Sequence, residues 1–371
     1  MTRSPGHPLH LANGELWLHR SKRDPYAAVL CGFDDDPHPS YEEVRAHGPL
    51  WRSRLGTWVT SDHGVGGRLL ARPGVRVSLV DERLWADPGW RERAEEPWDG
   101  HRAMVERICA TVLDELPEEF DLAADVAERV PVAVFAEMFG VAPSRLAGGV
   151  VAASLALDSV LSPQRPDGIQ RMVDAIDDLC TLFAGTSMPE GRPPAESVFL
   201  AVVGARIAAN LIAGAVLASL EDGRWWAALA EDPRLAGLVV EETLRHDPPL
   251  HVATGTASED LEVAGARIDA GDRVAVLIGG ANRDPKVFAD PGDFVPGRRG
   301  ERGPFALTPV LPLGVMALAR LQAGAALPAM AARFPRLSRR GPVLRRRRAP
   351  VTRSLLRCPV TTGARDPGRC G

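Results

Sequence analysis

The segment from 234 to 249, RLAGLVVEETLRHDPP, carries the pattern that decides the fold. Its apolar residues recur at helical spacing, and the Asp-Pro-Pro that follows predicts that the helix ends at His246. Glu242 and Arg245 stand three positions apart, so they share one face of this helix and can pair there. An ExxR pair is a weak signal by itself, and its meaning depends on the sequence around it.

The chain changes character downstream of this helix. Residues 261–278, LEVAGARIDAGDRVAVLI, predict two short strands joined by a turn. Residues 282–298, NRDPKVFADPGDFVPGR, have irregularly spaced prolines and no periodicity, which indicates an ordered meander. A further helix is predicted over 317–334, and strand-like pieces such as 350–356 follow it.

Helices dominate the chain upstream. Residues 121–140 have helical spacing and end at a glycine, and residues 198–220 are apolar on nearly every face. The second segment is long enough to cross a bilayer, but Arg206 and Asn210 lie near its middle, where a charge is costly in lipid. We therefore interpret it as the buried central helix of a large domain.

This order of elements predicts a mainly α fold with small β-sheets. The sequence contains no internal repeat and no linker that would separate two large domains. We expect an N-terminal extension over residues 1–40 and a single domain over residues 41–371.

The composition narrows the possible functions. The chain has 371 residues, of which 45% are hydrophobic, and a net charge of −4, which gives no general attraction to nucleic acid or to anionic membranes. Its five cysteines form no CxxC pair, and its N-terminus lacks the apolar region of a secretory signal. These features favour a reduced, cytoplasmic protein. No nucleophile elbow, P-loop, HExxH motif or paired-cysteine zinc spacing occurs in the sequence.

Taken together, the motifs resemble the C-terminal half of bacterial cytochromes P450. The resemblance rests on ETLR followed by DPP, on ANRDPKVFADPGDFVPGR, on ALARLQAGAALPAMAARFPRL and, upstream, on DLAADVAERVPVAVFAEMFGV. It spans about 41–360 and implies the triangular, mainly helical cytochrome P450-like fold. In that fold Glu242 and Arg245 pair with Arg298 to hold the meander on the core, a structural role that requires no haem chemistry.

The same resemblance implies that the oxygen-activating parts are gone. In the family a cysteine thiolate before the helix at 317–334 holds the haem iron, and the matching position is Leu313, or Pro312 if one residue is inserted. The acid and threonine that deliver protons to bound oxygen correspond to Arg206 and Ile207. We expect Arg206 to place a cation where the substrate of an enzyme would lie.

The arginines that hold the haem propionates are also replaced. They correspond to Val105, in an HxxxR pattern that begins at His101, and to Gly255. Loss of all these devices implies a pseudoenzyme with no catalytic residues, no cofactor and no metal. Met316 is then a core residue, since a lone thioether binds metals weakly.

One branch of the family consists of haem-free homologues that act as auxiliary proteins of glycosyltransferases, which attach nucleotide-activated deoxysugars to macrolide or anthracycline scaffolds. The run at 24–62, the retained segment GDRVAVLIGGANRDP and the compressed region 140–204 resemble that branch. The resemblance implies a cytoplasmic protein that binds, stabilises and activates a glycosyltransferase as a hetero-oligomer, with no nucleic acid or membrane partner.

The N-terminal region offers a candidate surface for that partner. Leu16, Trp17, Leu18 and Tyr26 supply more apolar surface than a free terminus needs. Packing of these side chains on the core is an equally good alternative.

Two further functions stay open at this point. One is an unusual haem-binding oxidoreductase with a weak or absent protein ligand. The other is a small-molecule binder that uses the vacated haem cavity as its pocket. Inward-facing Ile207, Leu313 and Met316 would instead close such a cavity, since large voids are destabilising.

Overall fold

The described part of the chain is mainly helical, as the sequence predicts. The computed structural model describes residues 6–78, 98–185, 194–298, 303–305, 307, 310–311 and 314–363. The helices are α1 (Gly6–Ser21), α2 (Pro25–Cys31), α3 (His38–Ala46), α4 (His63–Leu70), α5 (Arg102–Asp114), α6 (Arg129–Met138), α7 (Pro143–Ala153), α8 (Leu155–Ser159), α9 (Pro166–Ala184), α10 (Pro194–Phe199), α11 (Ala205–Glu221), α12 (Arg224–Glu231), α13 (Ala236–His246), α14 (Ile278–Ala281) and α15 (Val315–Arg333).

Short strands form four small sheets beside the helices. They are β1 (Trp51–Arg52), β2 (Trp58–Thr60), β3 (Val75–Ser78), β4 (Glu119–Asp121), β5 (Val252–Ala257), β6 (Leu261–Val263), β7 (Ala266–Ile268), β8 (Arg273–Leu277), β9 (Ser338–Arg339), β10 (Leu344–Arg345), β11 (Leu355–Arg357) and β12 (Pro359–Thr361). The largest sheet has the order β1-β2-β8-β5-β3, with β2 and β8 parallel and the other pairs antiparallel. The predicted fold class, mainly α with small β-sheets, is therefore confirmed.

The apolar run predicted as a central helix forms one continuous helical segment. A π-helical stretch, Leu200–Gly204, joins α10 to α11, and α11 packs against α6, α13 and α15. Two helical segments, Pro194–Glu221 and Val315–Arg333, are apolar and long enough to span a membrane. The most apolar windows of these segments are 94% and 67% buried inside the protein, which is the burial expected of core helices.

The N-terminal helices cover one face of the largest sheet. Tyr26, Leu30 and Tyr41 form a buried cluster with sheet residues that include Val59 and Val252. The N-terminus of α2 is capped by Asp24, whose Oδ1 accepts from the Ala27 backbone N–H at 3.0 Å. The division expected at residue 40 falls inside α3, and this cluster joins the residues on both sides of it.

Two local predictions need correction. Residues 261–278 form three strands, because Ala264 and Gly265 have left-handed backbone angles (φ 51° and 79°) that turn β6 back onto β7. In 350–356 only the last two residues belong to a strand. The backbone N–H groups of Val351 and Thr352 donate to the Asp158 carboxylate and not to a neighbouring strand.

Candidate functional site

The ExxR pair is buried and lies at the centre of a hydrogen-bond network. Arg245 Nη2 donates to Glu242 Oε1 at 2.7 Å and Nε donates to Oε2 at 3.0 Å, with the two side chains 2% and 5% exposed. Arg298 Nε reaches the same Oε1 at 3.5 Å. The three residues are therefore adjacent, in the arrangement expected from the family resemblance.

This network attaches the meander to α13 through the backbone. Arg245 also donates to the carbonyl oxygens of Asn282, Pro291 and Asp293, at 3.1, 2.8 and 2.8 Å. The Val295 N–H donates to Glu242 Oε1 at 2.9 Å. Every polar atom of the Arg245 guanidinium thus has a partner, which a buried charge requires.

Arg206 is held by core residues and does not lie free in a substrate pocket. Its Nη1 donates to Glu128 Oε1 at 2.9 Å, while Nε and Nη2 donate to Ser154 Oγ at 3.2 and 2.9 Å. Burial lowers the pKa of Arg206, and the Glu128 carboxylate opposes that effect. The expected placement of a cation in a substrate cavity is therefore wrong, because these partners draw the side chain into the helix packing.

The buried carboxylate of Asp158 binds the C-terminal segment near Arg206. Asp158 Oδ1 accepts from the N–H groups of Val351 and Thr352 at 2.9 and 3.0 Å, and Oδ2 accepts from Thr352 Oγ1 at 2.7 Å. Burial raises the pKa of Asp158, and the hydrogen bonds from Thr352 oppose this. Sequence reasoning missed Ser154, Asp158 and Glu128, because their partners are more than fifty positions away along the chain.

Within the described part of the chain, the positions next to Arg206 are closely packed. Ile207 and Ala208 have no exposed surface, so no water-sized void contacts them. Met316, at the start of α15, is 5% exposed and belongs to the same core cluster as Ile207. A haem bound against the central helix requires an open cavity at these residues, and the packing observed here does not fit it.

The cysteines of the described residues do not offer a thiolate. Burial raises the pKa of Cys109 to about 12 and that of Cys358 to about 11, and it also raises the pKa of Cys31 and of Cys180. Leu313, which corresponds to the cysteine of the enzymes, lies outside the described residues, as does Pro312. The sequence has no cysteine between Cys180 and Cys358.

The two propionate positions lie in different parts of the fold. Val105 is fully buried in α5, which packs against α6 and α15. Gly255 lies in β5, where a Cβ atom would come within 2.8 Å of the Arg76 carbonyl oxygen, so the backbone of β3 leaves no space for a side chain. His101 precedes α5, and its ring packs edge-on against Trp98. Neither position presents a basic side chain to a carboxylate ligand.

The structure separates the four predicted contact residues into two pairs. Leu16 and Tyr26 are 8% and 2% exposed, which removes them from any contact surface. They point inward because α1 and α2 pack on each other and Tyr26 also contacts the sheet cluster. Trp17 and Leu18 point away from this packed side of α1, and they are 57% and 50% exposed.

Comparisons with known proteins assign the chain to a family. The cytochrome P450 family model matches residues 234–302, the region of the ExxR helix and the meander. Protein DesVIII of Streptomyces venezuelae is 36% identical, with 94% of this chain and 91% of that protein covered. Protein AknT of Streptomyces galilaeus is 32% identical, with 97% and 96% covered. The chain belongs to the cytochrome P450 family.

Within the family, the chain is similar along nearly its whole length to the cytochrome P450 family protein EryCII of Saccharopolyspora erythraea. The two are 32% identical, with 96% of this chain and 97% of EryCII covered. Among solved structures, P450BioI in complex with a fatty-acyl acyl carrier protein has a TM-score of 0.74 at 21% identity, covering 90% of this chain and 99% of that one. Epothilone D-bound cytochrome P450epoK also gives 0.74, at 22% identity, with 90% and 98% covered. These structural similarities establish the fold alone.

Arg206→Met tests whether this arginine supports the packing. We expect the substitution to lower the free energy of unfolding by about 2 kcal/mol, since it removes charge-assisted hydrogen bonds from a buried site. Glu128 keeps a second partner, Arg346 Nη2 at 3.4 Å, which limits the loss. Urea unfolding of the purified variant measures it. Arg129→Met is the control and should change stability little, because the Arg129–Glu115 pair is exposed. An Arg206→Met variant as stable as the parent would contradict the structural role.

Proposed function

We propose that this chain is a non-catalytic, haem-free member of the cytochrome P450 family that binds, stabilises and activates a glycosyltransferase of macrolide- or anthracycline-type antibiotic biosynthesis. One contrast carries the proposal. The network of Glu242, Arg245 and Arg298 is complete, whereas the central helix carries Arg206 and Ile207 in closed packing. Such a chain retains the shape of the family without its chemistry, and similarity to DesVIII, AknT and EryCII over nearly the whole chain supports the auxiliary role.

The proposed action of the chain on its partner is thermodynamic. A protein that binds only the active conformer of an enzyme stabilises that conformer by the binding free energy. The population of the active conformer rises as a result. This requires a rigid surface and no reactive group on the auxiliary protein. The buried networks at Arg245 and Arg206 provide rigidity, since each joins distant segments of the chain through satisfied hydrogen bonds. We expect the complex to form in the cytoplasm.

The haem-free part of the proposal has a spectroscopic test. The protein is expressed with excess haem precursor and purified beside a cysteine-containing bacterial cytochrome P450. We expect no stoichiometric Soret band and no shift with carbon monoxide. A Leu313→Cys variant should behave in the same way, because Ile207 and Ala208 of the central helix are fully covered. A stoichiometric thiolate-type spectrum of the unmodified chain would support the oxidoreductase alternative.

The small-molecule alternative receives less support from the same residues. A binder that used the vacated haem cavity would need an open apolar pocket against the central helix. Ile207 has no exposed surface, and Met316 is nearly covered. Closed packing at these positions favours the protein–protein role.

The exposed part of α1 is our proposed contact for the glycosyltransferase. Trp17 is 57% exposed, lies 6.2 Å from the Phe33 ring and has the Arg20 guanidinium 5.9 Å from its centroid. Aromatic and arginine side chains grouped in this way are typical of the energetically important residues of interfaces.

Substitution of this surface gives a direct test. We expect Trp17→Ala combined with Leu18→Ser to weaken co-purification with the glycosyltransferase, raising the dissociation constant about tenfold or more, because an interface anchor typically contributes at least about 2 kcal/mol. Leu356→Ser, at another exposed leucine (55%), is the control and should retain binding. Undiminished binding by the double variant would remove α1 from the interface.

A further inference from the structure

A polar pocket lies where the segment before α3, the C-terminal half of α11 and the end of α13 meet. Its volume is about 390 Å³. None of the positions that correspond to haem-handling residues lines it. The pocket gathers three arginines and three histidines, namely Arg283, Arg345, Arg353, His38, His246 and His251.

The carboxylates of this pocket are mostly at its rim. Asp35 and Asp36 have side chains that are 82% and 68% exposed, and Glu221 is exposed as well. The inner carboxylate, Asp247, is already neutralised, since its Oδ2 accepts from Arg345 Nη2 at 3.0 Å and its Oδ1 contacts His251 Nε2 at 3.0 Å. The interior therefore holds more cationic than anionic groups.

Of the three arginines at this pocket, Arg283 and Arg353 have no carboxylate within ion-pair distance among the described residues. Arg353 is 9% exposed and donates only to backbone carbonyls, to Asp34 O at 3.2 Å and to Asp35 O. Arg283 Nη2 contacts His246 at the carbonyl oxygen (3.0 Å) and at Nε2 (3.1 Å). A sheltered guanidinium served only by neutral groups is costly unless a counter-ion joins it.

Three buried nitrogen atoms beside the pocket have no hydrogen-bond partner among the described residues. They are Arg283 Nε, His246 Nδ1 and His38 Nε2. Burial lowers the pKa of both arginines and of His38, and it lowers the pKa of His246 to about 4. The charges of Asp247 and Asp36 oppose the shift of both arginines, but burial has the larger effect, since it disfavours the charged form of a basic group.

The backbone of Arg353 is held in an unusual conformation beside the pocket. Its φ angle is 45°, in the left-handed region that a residue other than glycine seldom adopts. Surrounding contacts hold it there, with Arg353 N donating to Ala349 O at 2.9 Å. Strain of this kind is concentrated at binding and functional sites.

We propose that this pocket binds a compact oxyanion of the phosphate type, with Arg283 and Arg353 as its charge partners. A planar guanidinium matches a phosphoryl group through two parallel hydrogen bonds. The volume exceeds that of a bare phosphate and leaves space for an attached organic group. This site is separate from the proposed glycosyltransferase role and does not depend on it.

Calorimetric titration of the full chain with inorganic phosphate tests the site, at an ionic strength matched with sodium chloride. We expect saturable binding by the parent protein and a loss of affinity of about tenfold or more in Arg283→Gln, which removes a charge-assisted contact. Arg234→Gln is the matched control, since Arg234 is 90% exposed and lies outside the pocket. A parallel titration with glycerol 3-phosphate shows whether the site prefers an ester to the free anion.

Circular dichroism shows whether Arg283→Gln is folded, and Arg353→Gln, which removes the other charge partner, provides a second variant at the same site. Weakened binding by either folded pocket variant, with binding retained by Arg234→Gln, supports the proposal. Absence of saturable binding by the parent protein, or equal binding by all variants, overturns it.

Discussion

Arg245→Ala is expected to leave the chain without a stable folded state. The substitution removes the closer cationic partner of the Glu242 carboxylate, which is 5% exposed and keeps only the more distant Arg298, at 3.5 Å. Breaking a buried ion pair costs about 3–5 kcal/mol. It also removes the donor from the carbonyl groups of Asn282, Pro291 and Asp293, which attach the meander to α13. The total is a large part of the about 5–15 kcal/mol by which a native domain is stable.

Urea unfolding and circular dichroism measure this loss. The control is Arg320→Ala. Arg320, on α15, pairs with Glu241 on the exposed face of α13, and the two side chains are 42% and 46% exposed. That variant should lose less than about 1 kcal/mol. A folded Arg245→Ala protein with stability near that of the control would show that the ExxR network does not hold this scaffold together.

The sequence was sufficient for features that depend on local spacing. Glu242 and Arg245 lie three positions apart in a strongly periodic helix, so their shared face follows from helix geometry. The proline-rich meander is recognisable because prolines exclude both regular structures. For the same reason the overall order of helices and small sheets was predictable from one chain.

Features that depend on distant partners were not predictable. The position of Arg206 on the central helix could be predicted from the sequence. The direction of its side chain could not, because its partners Glu128 and Ser154 are 78 and 52 positions away. No spacing rule connects such residues before the fold brings them together. Gly255 was interpreted as a position where an arginine of the enzymes has been lost. The structure adds that β3 leaves no space for any side chain there.

The sequence could not tell which of the N-terminal candidate residues are exposed, for a related reason. Leu16, Trp17 and Leu18 are consecutive, so a helix necessarily directs them to different faces. The sequence alone gives no sign of which face meets α2. The structure buries Leu16 and exposes its two neighbours, which narrows the proposed contact surface to Trp17 and Leu18.

The second large effect is expected in the partner and not in this chain. A glycosyltransferase whose active conformer is a minor species gains activity in proportion to the binding free energy that its auxiliary protein supplies. Couplings of this kind are typically about 1–3 kcal/mol, which corresponds to roughly 5-fold to 150-fold. Under the proposed non-catalytic role, the gain should not require haem or a reductant.

Sugar transfer by a partner glycosyltransferase of macrolide- or anthracycline-type antibiotic biosynthesis is the measurement that tests the account most directly. Transfer is measured with the transferase alone, with the parent chain, and with Arg206→Met as a variant expected to remain folded. We predict that activity rises about tenfold or more when the parent chain is present, in preparations that contain no haem. Equal transfer with and without this chain, or a gain that appears only when haem is supplied, would contradict the proposed auxiliary role.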